Sequence, residues 1–216
     1  GNHLYDLAIE EILRFQDRLA TVSFELPVFD SVWQEKELDI FREWCLPELS
    51  PEEYLSRMRG LIEAVDQIPK TFMHRDFHCR NILLTDKGKP GVIDFQGAMR
   101  GPITYDLVSL LRDCYVDNAP QWIDQKVRDY MESLIRQGSL KEKVNEAEFF
   151  RWFDLAGLQR HLKCIGIFHR LNLRDDKPSY LKDVPRISAY IETVLGRNSE
   201  LSELRSLMAD ARILSP

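Results

Sequence analysis

No apolar run in this chain of 216 residues approaches the roughly 18 consecutive residues that a membrane-spanning helix requires. The opening Gly1-Asn2-His3-Leu4-Tyr5-Asp6 has neither the basic segment nor the apolar core of a secretory leader. No membrane partner is expected, and Gly1, standing where an initiator Met would stand, predicts a processed start or a boundary. Cysteine is scarce. Cys45, Cys79, Cys114 and Cys164 form no C-x-x-C pair, and their separations of 34, 35 and 50 residues fit no zinc module. They read as small core residues in a reduced, cytoplasmic compartment. Positive charge is also short: 29 Lys and Arg against 35 Asp and Glu leave a net charge of −6. That balance excludes broad electrostatic binding of nucleic acid and leaves room only for a local anion site. Glycine is thin in the first third, where only Gly1 and Gly60 precede His74, so no G-x-G-x-x-G or P-loop cluster exists there.

What is present is ordinary globular composition, 44% hydrophobic and 30% charged, enough apolar side chain for a real core. Helical periodicity dominates. Residues 4–20 place Leu4, Leu7, Ala8, Ile12, Phe15 and Leu19 on one face. Ser31 and Gln34 fit a capping box for a helix to about Trp44, and Ser50-Pro51-Glu52-Glu53 opens another to about Val65. Further helices are expected at 104–117, 121–137, 147–171, 185–195 and 200–211, with Gly138 and Gly196 as terminators. Between them Asn81-Ile82-Leu83-Leu84, the turn Asp86–Pro90 and Gly91–Phe95 predict one short hairpin. The expected fold is mainly α, one helical domain over 1–216 with a small central β-hairpin.

The chemistry sits around that hairpin. His74-Arg75-Asp76 is followed, after four intervening residues, by Asn81, and thirteen positions later comes Asp94-Phe95-Gln96. H-R-D-x-x-x-x-N and D-F-G are the signature of phosphoryl transfer by kinases, here with Gln96 in the glycine position. That reaction asks little of a protein: a carboxylate to take the proton of the attacking hydroxyl, and oxygen ligands for the metal on the phosphates. Asp76 suits the first, Asn81 and Asp94 the second, and a tight hairpin would return Asp94 beside Asn81. The alternative is a polar loop in which Asp76 and Asn81 merely satisfy backbone groups. His74 and His78 lack the H-E-x-x-H context of a zinc site.

The segments FMHRDFHCRNILL, GVIDFQGAMRGPITYDLVSLLRD and DLAGLQRHLKCIGIFHRL resemble the aminoglycoside phosphotransferase superfamily of kinase-like enzymes. Within it they are most similar to the bacterial cell-wall amino-sugar kinases, which phosphorylate the anomeric hydroxyl of N-acetylmuramic acid and N-acetylglucosamine in peptidoglycan recycling. The resemblance implies a protein-kinase-like C-terminal lobe, ATP and Mg²⁺ as cofactors, and a small-molecule sugar as partner. It casts Asp76 as catalytic base, Asn81 and Asp94 as metal and nucleotide ligands, and His74 as the brace of the segment carrying Asp94. Asp106 is similar to a buried aspartate that accepts hydrogen bonds from the catalytic-loop backbone. Arg75 departs from many antibiotic-modifying members, which often have glycine there, and Gln96 departs from the D-F-G form.

His78 either lines the acceptor pocket or packs within the loop, and Arg80 either stabilises phosphate charge or forms a surface ion pair. Between Gly157 and Leu171 there is no acid, yet Arg160, His161, Lys163, His169 and Arg170 occur. Arg160, His161 and Lys163 are candidates to hold an anionic acceptor, and the opposing reading pairs these cations with Asp113, Asp154 or Asp175. A nucleotide lobe with a Gly-rich loop and a strand Lys is missing, so the chain reads as the C-terminal lobe alone, inactive without its N-terminal lobe. Two other functions compete: an aminoglycoside or other small-alcohol kinase, and a non-catalytic interaction domain. The last requires Asp76 and Asp94 to point apart or be locked in salt bridges.

Overall fold

The computed structural model describes residues 2–19, 25–141 and 143–210. Its elements are α1 (Asn2–Leu19), α2 (Ser31–Cys45), α3 (Pro51–Asp66), β1 (Lys70–Met73), β2 (Ile82–Leu84), β3 (Pro90–Val92), β4 (Met99–Pro102), α4 (Tyr105–Leu111), α5 (Pro120–Arg136), α6 (Glu146–Asp175), α7 (Val184–Arg197) and α8 (Ser202–Asp210). The fold is mainly α with a small β component. Ala20 and Ala211, the expected ends of the first and last helices, lie outside the described residues. No helix among the described residues is long and apolar enough to cross a membrane. The chain divides into two compact units, one of residues up to Val28 with Ile68–Phe153, the other of Phe29–Gln67 with Asp154 onward.

In the first unit two antiparallel ladders matter most. The expected hairpin forms as β2–β3, with Ile82 opposite Val92 and Leu84 opposite Pro90. Its return strand stops at Val92 instead of running to Phe95. A second ladder, unforeseen from the sequence, pairs β1 with β4, Lys70 opposite Pro102 and Met73 opposite Met99. Arg100 N donates to Pro27 O at 2.8 Å and extends this ladder on its other side. Residues 74–81 therefore leave β1 and enter β2, while residues 93–98 leave β3 and enter β4. Both chemistry-bearing segments are held at each end by a ladder shared with the other, and Ile93 N donates to Asn81 O at 3.0 Å where they meet. Beneath them Leu107, Val108, Leu111, Val127, Tyr130, Leu134, Phe149 and Phe153 are buried. Tyr130 donates to Gln16 Oε1 at 2.6 Å, and Gln16 Nε2 to Ile103 O at 3.1 Å, so these two side chains satisfy each other within the core.

α4 ends at Leu111, six residues earlier than its apolar pattern suggested. Arg112 leaves helical geometry at φ −107° and ψ 52°, its guanidinium 4.6 Å from the Phe153 ring centroid. α5 ends as expected, with Gly138 at φ 76°, a left-handed geometry that only glycine enters without a Cβ penalty. Gly196 instead lies inside the last turn of α7 and terminates nothing.

The second unit is helical. α2 is capped by Asp30, whose side chain accepts from Trp33 N at 2.9 Å, one residue earlier than the Ser31 box. Gln34 is buried and does not serve as the box partner. α3 is capped by Ser50, which accepts from Glu53 N at 3.2 Å. α6 passes so close to α2 at Gly166 that a Cβ there would meet Phe41 Cα and N at 2.6 Å.

Candidate active site

The loop that follows β1 is held by carboxylates rather than by side-chain packing alone. Asp106, in the first turn of α4 and 3% exposed, accepts from His74 N at 2.7 Å and from Arg75 N at 2.9 Å. Arg75 has φ 78°, a conformation a non-glycine side chain rarely adopts. The paired bonds to Asp106 are what hold that turn. Asp113, fully buried, accepts from Cys79 N at 2.8 Å and from Tyr115 N at 2.9 Å. Burying a carboxylate is costly, and charge-assisted bonds from backbone N–H groups offset that cost. Within the loop His78 N donates to Asp76 O at 3.1 Å and Asn81 N to His78 O at 2.9 Å.

Asp76, Asn81 and Asp94 come together at this point. Asn81 Nδ2 donates to Asp76 O at 3.0 Å and lies 3.5 Å from Asp94 Oδ2. Asp94 is exposed and sits at φ 68°, so the chain turns sharply there, two residues past the end of β3. Gln96 Nε2 donates to Asp94 Oδ1 at 2.5 Å. Thus the residue replacing the usual glycine holds the carboxylate. Asp76 is half-buried, and no hydrogen bond or ion pair among the described residues engages its carboxylate.

An amide oxygen and a carboxylate are hard oxygen donors, and they fit Mg²⁺, which binds through one or two carboxylates with phosphates and water completing its shell. The described residues hold no cluster of three or more His, Cys, Asp or Glu arranged for a metal. His74 is buried with its ring edge-on to Phe77, 5.7 Å between centroids at 87°. Burial lowers its pKa, against the opposing pull of Asp76, the Ile93 backbone and Asp94, so the ring is neutral at pH 7. Both of its ring nitrogens are buried, and neither has a hydrogen-bond partner among the described residues. An apolar cavity of about 390 Å³, lined by His74, Phe72, Val92 and Phe95 among others, adjoins this ring.

His78 packs edge-on to Tyr115, centroids 5.6 Å apart. Arg80 is exposed, with its guanidinium carbon 3.4 Å from the Tyr115 ring centroid, a cation–π stack that holds the charge beside Asn81. Burial, with Asp113 adding to it, pushes the Cys79 thiol up to about 12, which leaves it a poor nucleophile. Arg160, His161 and Lys163 belong to the second unit and are buried. Lys163 Nζ pairs with Glu37 Oε1 at 3.1 Å, not with Asp113, Asp154 or Asp175. Gln159 Nε2 donates to Glu37 Oε2 at 3.1 Å. His161 stacks on Tyr190, 5.2 Å apart at 19°, and Asp154 lies 3.6 Å from Arg197. Sequence reasoning missed Asp113 as a holder of the loop. The only signal was its seven-residue offset from Asp106, which two helical turns would align.

The sequence pattern of the phosphotransferase enzyme family (APH) matches residues 3–159. Among characterised proteins, the N-acetylmuramate/N-acetylglucosamine kinase of Neisseria meningitidis serogroup B is 38% identical over 211 residues, covering 94% of this chain and 62% of its own length. The protein of the same name from Pseudomonas aeruginosa is 37% identical, with 97% and 63% covered. That from Caulobacter vibrioides is 24% identical, with 94% and 59% covered. The chain thus spans about six-tenths of the length of the relatives it matches.

Proposed function

The chain belongs to the phosphotransferase enzyme family, and from that membership we propose that residues 1–216 act as the catalytic and substrate lobe of an ATP-dependent amino-sugar kinase. The observation that carries this reading is the meeting of Asp76, Asn81 and Asp94 through the bonds of Asn81 Nδ2. The acceptor is the anomeric hydroxyl of N-acetylmuramic acid or N-acetylglucosamine, the two sugars in the relatives' names.

Asp76 orients that hydroxyl and takes its proton as the oxygen forms a bond to the γ-phosphorus. The bond between that phosphorus and the β–γ bridging oxygen breaks, and ADP leaves with its electron pair. Asn81 and Asp94 would hold Mg²⁺, which supplies neutralisation of the phosphate charge. Gln96 keeps Asp94 in place, and Arg80, immobilised on Tyr115, lies where it can meet phosphate or acceptor charge. A non-catalytic interaction domain is disfavoured, because Asp94 is exposed and neither it nor Asp76 is consumed by an ion pair. Residues 1–216 carry no Gly-rich phosphate loop ahead of His74, so transfer by this stretch alone is expected to be negligible. A cytoplasmic site of action is part of this reading, and the four free thiols support it.

The test is ADP release by this chain extended to the length of its relatives, supplied with ATP, Mg²⁺ and either amino sugar or an aminoglycoside. Phosphate on the anomeric carbon, read by phosphorus NMR, is the expected result. Turnover of the aminoglycoside alone, or of nothing, overturns the reading.

A further inference from the structure

We propose that Asp113 is a positioning residue for phosphoryl transfer, fixing the half of the catalytic loop that lies beyond Asp76. The loop departs from β1 at His74 and delivers Asn81 to β2, and Asp76 lies between. Its first half is fixed by Asp106, through the amides of His74 and Arg75. Its second half is a single 3₁₀ turn over Cys79–Asn81 with no ladder of its own, and the part-buried Cys79 amide that opens it donates to the Asp113 carboxylate at 2.8 Å. The second oxygen of Asp113 takes Tyr115 N at 2.9 Å, and this sets the Tyr115 ring against both His78 and Arg80. One carboxylate therefore fixes a backbone amide of the loop and the platform on which two of its side chains rest. Asn81 is two residues beyond the clamped amide and donates back to Asp76 O. Slack at Cys79 is thereby transmitted to both the base and the metal ligand.

The early end of α4 supports the assignment. Had the helix continued through Asp113, that carboxylate would lie along the helix surface. The break at Arg112 turns it to accept the amide of Cys79, which opens a single 3₁₀ turn over Cys79–Asn81, and that of Tyr115, which lies outside any helix or strand. Asp106 and Asp113 bracket the base from the two ends of one short helix, and a rigid clamp at each end is what a near-attack geometry requires.

The test uses Asp113→Ala and Asp113→Asn in the chain extended to the relatives' length. It rests on the kinase reading only for its activity arm. Amide hydrogen exchange over residues 76–81 should speed up at Cys79 in Asp113→Ala. kcat, measured well below the melting temperature, should fall by about 10–10²-fold, the scale of a misplacement near one ångström, while KM for ATP stays near that of the parent. Asp113→Asn keeps one carbonyl acceptor and should fall between the two. If Asp113→Ala does not fold, Asp113→Asn decides on the same two readouts. Unchanged exchange at Cys79, or faster exchange with unchanged kcat, overturns the proposal. A parent that phosphorylates no amino sugar defeats the kinase reading instead, and the exchange arm then still decides whether Asp113 holds the loop.

Discussion

In the first unit the buried carboxylates of Asp106 and Asp113 each accept two backbone N–H groups, whereas in the second unit Glu37 is met by the side chains of Lys163 and Gln159. The two solutions do different work. Backbone amides belong to a particular stretch of chain, so a carboxylate that takes two of them dictates a loop path, including the left-handed turn at Arg75. A lysine neutralises the carboxylate and, with one partner on α2 and the other on α6, ties one helix to another. Sequence alone presents both as charged residues in apolar surroundings. The partner distinguishes shaping a reactive loop from bracing a scaffold, and the comparison can be broken by substitutions that separate rate from stability.

The largest effect is expected at the group that the amide-held loop presents. Asp76→Asn should lower kcat by roughly 10²–10⁴-fold, the usual worth of a positioned general base. Its melting temperature should stay near the parent's, since no partner of the Asp76 carboxylate is lost. Asp94→Asn should also weaken Mg²⁺-dependent nucleotide binding, which titration with ATP at varied Mg²⁺ would separate. If both variants lose nucleotide binding equally and melt far earlier, the first unit's carboxylates are scaffold as well, and the contrast fails.

Lys163→Met reverses the pattern. Removing one partner of a buried pair leaves Glu37 charged and under-satisfied, at a cost of about 3–5 kcal/mol. Urea midpoints should fall accordingly, and Glu37→Gln combined with Lys163→Met should recover much of the loss. kcat/KM for N-acetylmuramic acid and N-acetylglucosamine should change by the same factor. A selective loss with the acidic sugar would return Lys163 to substrate recognition, where its place in an acid-free stretch had pointed.

Gly166→Ala probes the same brace without touching charge. Its Cβ would meet backbone atoms of Phe41 at 2.6 Å, and backbone yields less readily than a side-chain tip. Overpacking of this kind costs about 1–3 kcal/mol, to be read as a lower urea midpoint with kcat unchanged. A neutral result would mean that the close approach of α2 and α6 is not needed for stability.

The legible part of this protein was the part written in local spacing. His74-Arg75-Asp76, Asn81 and Asp94 lie at intervals set by one loop and one hairpin, and helices with caps such as Ser50-Pro51 announce themselves within a turn. What escaped depends on distant partners. The β1–β4 ladder joins KTFM to MRGP, two short segments without alternation, and only their pairing makes them strands. Asp113 gains its meaning from an amide 34 positions earlier. Lys163 could not be matched to Glu37 because nothing in either helix's own pattern names the other. The cap of α2 was misplaced for a smaller reason: Asp30 and Ser31 are both good caps, and the backbone turns at the first.

The smallest expected effect is on acid stability, and it compares the units through one histidine each. Burial lowers the pKa of His74 in the first unit and of His169 in the second below the usual value of about 6.5. Each therefore takes up its proton at lower pH when folded than when unfolded. Between the folded and unfolded values the unfolded chain binds more protons, so stability rises with pH through that window. The contribution is complete above about pH 6.5 and is lost as pH falls toward the folded values. Urea midpoints measured across this range should show the decline, and His169→Gln should remove the second unit's share of it. The first unit differs because Asp76, the Ile93 backbone and Asp94 pull the His74 pKa back upward, while His169 has burial alone acting on it. Asp94→Asn should consequently lower the His74 pKa further and extend the decline to lower pH, with no such change from substitutions in the second unit. If His169→Gln and Asp94→Asn both leave the pH dependence of the midpoint as it is in the parent, the acid sensitivity belongs to carboxylate protonation, and the histidines do not distinguish the two units.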